Sequence, residues 1–162
     1  MDFLNKYIDP YLHHVPIIFS PIGTVFAMFA IVYLSKFQHA IYSMLLTWKY
    51  DIINASYRTS SIGKWNIQIV QRAYNAHANN WEAFTGYSVA VILIIQANIK
   101  SVEINQLCNL FIIVRVAYTL LYPLAFSVPL SMFRSSIFSV GIVIILRLFS
   151  IAIPTIYAAE TE

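Results

Sequence analysis

The sequence predicts an all-α fold: an integral membrane four-helix bundle built as a single domain across residues 1–162. Three observations lead there. Apolar residues make up 59% of the chain and charged residues 10%, which is outside the soluble range and inside the multipass membrane range. The run PIIFSPIGTVFAMFAIVYL, Pro16 to Leu34, holds no charge and is about one hydrocarbon thickness long as a helix. The 162 residues leave room for about four such spans with short loops.

The opening MDFLNKYIDPYLHH carries two Asp, one Lys and no Arg, so it fits neither a secretory n-region nor an Arg-rich transit peptide. The first span is therefore expected to stay in the protein as its own insertion signal. That span runs from Pro16 to Leu34, with Pro16 and Pro21 in its first turns, where a missing N–H costs little. HAIYSMLLTWKY reads as a helical continuation, and NASYRTSSIGK as a loop by its Ser, Asn and Gly content. A second span is expected from about Trp65 to Asn98, polar in its first half and apolar in its second. SVEINQ reads as a tight connection, and a third span follows from about Leu107 to Phe126, with Pro123 and Pro129 marking its end. The fourth is expected from about Ser135 to Ala158.

Four spans put both termini on one side. The first connection holds Lys36, Lys49, Arg58 and Lys64 and the third ends with Arg134, against chiefly Lys6 and Lys100 on the opposite face. The positive-inside rule places the first and third connections on the cytoplasmic side or its equivalent, such as a matrix. The ten basic residues are scattered, and the formal charge is only +3, which gives nucleic-acid binding little support. A single Cys, Cys108, excludes an internal disulfide framework; in its apolar run it reads as a packed, inert thiol.

Function is to be sought in the polar residues inside the spans. At about 100° per residue, Arg72, Asn75, Asn79 and Glu82 fall within an arc of about 80°, extended by Gly86. Arg115, Tyr118 and Tyr122 share a face of the third span in the same way, and Arg134 and Ser135 open the fourth. Ionisable groups inside a membrane cost about 2.5 to 3.5 kcal/mol each on insertion scales, so they should face a partner or a wet cavity. Three helices are thus expected to bring Arg72, Asn79, Glu82, Arg115, Tyr118, Tyr122 and Arg134 to one lipid-shielded recess. Three Arg around one Glu leave surplus positive charge, which suits a carboxylate-bearing peptide or a thiolate. The alternative is that these groups hydrogen-bond helix to helix and only hold the bundle together.

NAHANNWEAF in the second span, RVAYTLLY in the third and RSSIFSVG opening the fourth resemble the membrane-associated proteins in eicosanoid and glutathione metabolism, the MAPEG family, bacterial-type members above all. The resemblance covers about Trp65 to Leu148. It implies a four-helix bundle assembling as a homotrimer, with glutathione bound between neighbouring subunits near the cytoplasmic side. It also implies that Asn79 and Glu82 grip the glutamyl end of glutathione, that Arg115, Tyr118 and Tyr122 contact the peptide, and that Arg134 stabilises the thiolate. The chain departs from the pattern at Asn75, where the family has an Arg. An amide there should cost about 1.5 to 3 kcal/mol of charge-assisted binding, and Arg72, one turn earlier, is placed to substitute in part. The Pro usual after the Glu is missing, Phe138 replaces an aromatic that often carries a hydroxyl, and the interval from Arg115 to Arg134 is longer by about one helical turn.

Two functions follow from the resemblance. One is a glutathione-dependent transferase or peroxidase acting on a lipophilic electrophile drawn from the bilayer. The other is a catalytically degenerate member serving as a structural or accessory subunit of a larger membrane complex, for example in the mitochondrial inner membrane. Arg147, near the middle of the fourth span with no carboxylate obviously in reach, favours the second by asking for a partner from another chain. Membrane lipids are partners in either case.

Other residues read more simply. His13 and His14 are adjacent, not helically spaced, so they suggest no metal site. His77 lies about 140° from Arg72 and reads as a packing residue. Trp48, Trp65, Trp81 and the many Tyr read as interfacial belt residues. Asn54 has a glycosylation pattern but falls on the inner side by the charge count.

Overall fold

The computed structural model describes residues 14–47 and 64–160. His13, Lys6, Trp48, Lys49, Asn54 and Arg58 lie outside the described residues. Four helices follow one another: α1 (Pro21–Thr47), α2 (Lys64–Gln96), α3 (Val102–Leu121) and α4 (Val128–Glu160). Three of them, α1, α3 and α4, contain windows long and apolar enough to cross a membrane. The 33 residues of α2 are long enough as well, about 50 Å at 1.5 Å per residue, but its first half is polar. The chain is an integral multipass membrane protein.

Helix α1 begins at Pro21, one turn and more after the expected start at Pro16. Ser20 caps it, its Oγ accepting from the Gly23 N–H at 3.2 Å, and Pro21 takes the first helical position, where no N–H is required. Ahead of the cap the chain is held from outside: the buried Asn109 of α3 accepts from the N–H groups of Ile18 (3.0 Å) and Phe19 (2.9 Å) and donates to the Phe19 carbonyl at 2.8 Å. One amide thus satisfies three main-chain groups that a helix would otherwise have used internally.

The α2–α3 connection is shorter than expected. Asn98, in the left-handed region at φ 52°, closes α2, with Ile99 N–H donating to Ile94 C=O and Asn98 N–H to Ile95 C=O. This pair of bonds satisfies the last carbonyls of the helix and needs a residue that tolerates positive φ. Ser101 then caps α3, its Oγ accepting from the Glu103 N–H at 3.2 Å. Most of SVEINQ is therefore the first turn of α3, because a capped helix satisfies more backbone groups than an open loop. Helix α4 likewise starts earlier than expected, at Val128, so Arg134 lies nearly two turns inside it.

Helices α2 and α3 both touch all other helices, whereas α1 and α4 do not meet. The core lies along α2 and α3, where Tyr87 stacks on Phe111 with ring centroids 4.0 Å apart and Leu107, Val91, Ile94 and Leu148 are buried around them. Tyr87 also shares a hydrogen bond of 2.6 Å with Thr24 of α1. Cys108 is buried in the same cluster, as its apolar setting suggested. A Cβ on Gly86 would meet Ile145 at 3.9 Å, which marks where α2 and α4 come close.

Candidate functional site

The site forms where the middle of α2, the end of α3 and the start of α4 meet. Asn79 of α2 donates through Nδ2 to the Tyr118 hydroxyl at 2.6 Å. Beside it, Asn80 donates to Thr119 Oγ1 at 2.9 Å. Two successive amides on α2 are thus matched by two successive hydroxyls on α3, the Asn80 pair buried and the Asn79 pair partly so. Tyr118 and Tyr122, one turn apart, meet edge to face with centroids 5.2 Å apart, a favourable geometry for ring quadrupoles.

Arg115 is the centre of this region. It is 0% exposed, and its guanidinium lies 5.5 Å from the Phe111 ring, 5.3 Å from Tyr118 and 5.3 Å from Phe138. Gly141 of α4 leaves the space for it, since a Cβ there would stand 3.6 Å from Arg115 Nε. None of its three guanidinium nitrogens has a hydrogen-bond partner among the described residues. Three aromatic faces offset part of the cost of burying a cation, but a guanidinium with five N–H donors and no acceptor is an uncommon feature in a folded protein.

Arg134 reaches back from α4 to lie 4.4 Å from the centre of the Tyr122 ring. Between Arg115 and Arg134 the chain passes through a run of turns, with Leu124 N–H donating to Leu121 C=O and Ala125 N–H to Tyr122 C=O, before α4 starts at Val128. Arg134 therefore joins the cluster by way of Tyr122. Arg72 is half-buried over Phe126, 5.3 Å from its centroid, with a buried Nη1 that has no hydrogen-bond partner among the described residues. Asn75 accepts from Gln71 within its own helix at 3.2 Å.

Asn79, Arg115, Tyr118, Tyr122 and Arg134 are thus brought together, while Arg72 lies beside the α3–α4 turn. Glu82 does not join them as expected: its side chain is exposed, and among the described residues it forms no ion pair with Arg115. The physical reason is in the helix itself. Glu82 sits at the edge of the 80° stripe, about 60° from Asn79, so when Asn79 and Asn80 turn towards α3 the carboxylate turns out of the bundle. Ser135 also faces away, its Oγ bonding back to the Ser131 carbonyl at 3.0 Å.

Arg147 corrects a further expectation. It has a partner in its own chain, Glu103 at the start of α3, with Nη2 2.9 Å from Oε1. The two residues are far apart in sequence and meet only because α3 and α4 run antiparallel. His77, as expected, lies off the polar stripe and packs against α1, Nδ1 being 3.1 Å from the Val32 carbonyl and 3.2 Å from Ser35 Oγ. Sequence reasoning missed Asn80, Thr119 and the enclosing role of Phe138. The second of two successive amides, Asn80 directly after Asn79, was the signal for the first pair; nothing about Phe138 pointed to a ring over Arg115.

Arg72, Arg115 and Arg134 have no carboxylate partner among the described residues, so the region carries a surplus of fixed positive charge in a low-dielectric setting. No curated protein and no solved structure matches the chain. The MAPEG family does match, over residues 15–153, a stretch that takes in most of every described helix and all the residues of the cluster. With four helices, three of them apolar enough to cross a bilayer, and a family match over most of its length, this chain belongs to the MAPEG family.

Proposed function

We propose that this MAPEG protein is a glutathione-dependent membrane enzyme, a transferase or peroxidase acting on a lipophilic electrophile. The observation that carries the reading is the set of guanidinium groups without carboxylate partners, two of which, Arg115 and Arg134, lie on the Tyr118–Tyr122 pair. An anionic tripeptide is the kind of ligand such a set fits, because its carboxylates and thiolate supply the missing negative charge. The nucleophile that glutathione supplies is its thiolate.

In this reading Arg134 stabilises the thiolate electrostatically. Tyr118, whose hydroxyl oxygen already accepts from Asn79, keeps its own proton to donate to the peptide. Arg115, enclosed by three rings, acts through Tyr118 by holding its ring in place, and Arg72 offers a cation in place of the Arg that Asn75 replaces. Glu82, exposed on the single chain, takes part in the ligand grip where a second subunit closes over α2, as in the homotrimer the family implies.

The second reading, an accessory subunit without chemistry, is favoured by two observations: Arg115 is closed off by aromatic rings, and the Glu82 carboxylate stands apart from it. It loses the support of an unpaired Arg147, which Glu103 neutralises. Isothermal titration of the purified protein with glutathione separates the two. Micromolar to low millimolar binding, together with conjugation of a generic electrophile that Arg134→Ala reduces at least tenfold, supports the enzyme. Absence of binding at millimolar glutathione, with equal background rates in both forms, refutes it. A purified complex containing other chains and no glutathione binding supports the accessory role.

A further inference from the structure

At the opposite end of the bundle from the arginine cluster, a cavity of about 610 Å³ opens where α1 begins, α2 ends and α3 begins. Its floor is aliphatic, with Ile22, Ile95 and Ile99 among the lining residues, and its rim is polar, formed by Asn98, Lys100 and Asn105. Ile22 and Ile95 are largely exposed in the chain. The floor therefore continues into the apolar surface of the helices.

Along the α2–α3 connection, among the described residues, the charge at this rim is one-sided. Between Ile94 and Asn105 the sequence contains one base, Lys100, and one acid, Glu103. Glu103 is engaged by Arg147 at 2.9 Å, so the negative charge next to Lys100 is neutralised. The first residues of both α1 and α3, Pro21 and Val102, also line the cavity, and helix N-termini carry partial positive charge. An exposed ammonium, two amide side chains and two helix starts thus stand above an isoleucine floor.

We propose that this cavity binds an anionic phospholipid, with the phosphate at Lys100, Asn98 and Asn105 and the first methylenes of an acyl chain against Ile22, Ile95 and Ile99. Headgroup charge supplies the preference, in keeping with the pull of one lysine on an anionic lipid, and the apolar floor holds the chain. The site is independent of the glutathione reading: it uses none of the same residues.

Native mass spectrometry of the purified protein with dioleoyl-phosphatidylglycerol or dioleoyl-phosphatidylcholine tests this. The wild type should retain phosphatidylglycerol in preference to phosphatidylcholine. Lys100→Gln should lower that preference about fivefold without changing phosphatidylcholine retention, and Ile95→Trp, which fills the floor, should reduce retention of both lipids. Lys36→Gln, which removes an exposed base from α1 far from the cavity, should leave the preference at the wild-type value. Equal retention of the two lipids by the wild type overturns the proposal. So does an unchanged preference in Lys100→Gln, unchanged retention in Ile95→Trp, or an equal loss in Lys36→Gln, which would mean diffuse attraction. Displacement of phosphatidylglycerol by millimolar inorganic phosphate would reassign the cavity to a free anion and overturn it as well. Melting temperatures within a few degrees of wild type establish that each variant is folded.

Discussion

Replacing Asn109 by Leu removes the clamp on the chain ahead of α1 while keeping the branched shape and the number of side-chain heavy atoms. Asn109 makes four hydrogen bonds: two from the N–H groups of Ile18 and Phe19, one to the Phe19 carbonyl, and one at 2.7 Å to the Asn105 carbonyl, which the helix already uses. Three main-chain groups therefore lose their partner, each worth about 0.5 to 1.5 kcal/mol net. That gives about 1.5 to 4.5 kcal/mol gross. Ile18 and Phe19 are exposed, so water or lipid headgroups recover part of it, and Leu is better solvated by the surrounding core than the amide was. A net destabilisation of about 1 to 3 kcal/mol is expected. An SDS-titration unfolding curve of the purified protein measures the loss. Chymotrypsin cleavage at Phe19 measures the local effect, which should rise several-fold because the exposed ring is no longer tethered. Unfolding within about 0.5 kcal/mol of wild type and unchanged cleavage would refute the argument that one buried amide fixes this segment.

Three further outcomes are expected. Tyr118→Phe leaves Asn79 Nδ2 without its acceptor and should weaken glutathione binding about tenfold by titration and lower unfolding free energy by about 1 kcal/mol; unchanged glutathione binding beside that loss of stability would assign Tyr118 to packing alone. Arg147→Met should destabilise the bundle by more than the double variant Glu103→Gln with Arg147→Met, because the single change strands a carboxylate that is 38% exposed while the double change removes both charges; a double-mutant cycle on unfolding free energies reads the coupling, and additive values would show the pair contributes nothing. Tyr87→Phe should cost about 1 kcal/mol through loss of the buried Thr24 hydrogen bond, measured on the same curves, with no change in glutathione binding, since the two sites share no residue.

The class of molecule could be read from the residues alone. An uncharged run from Pro16 to Leu34 and the apolar halves of the later helices leave no solvent but lipid, and helical spacing alone put Arg115, Tyr118 and Tyr122 on one face, because both facts depend only on nearest neighbours along the chain. Helix ends were less legible: Ser20, Ser101 and Asn98 set them by caps and a left-handed residue whose partners are one turn away, and α4 began earlier than its apolar run suggested. Which polar groups meet across helices depends on how the helices pack. The rotation of α2 that matches Asn79 and Asn80 to Tyr118 and Thr119 turned Glu82 outwards, the antiparallel pairing of α3 and α4 gave Arg147 its carboxylate, and the packing of Phe111, Phe138 and Gly141 closed over Arg115. Periodicity fixes a residue's angle on its own helix, but the rotation and register of one helix against another are set by side-chain packing at the crossing, and those carry no signal in either helix read alone.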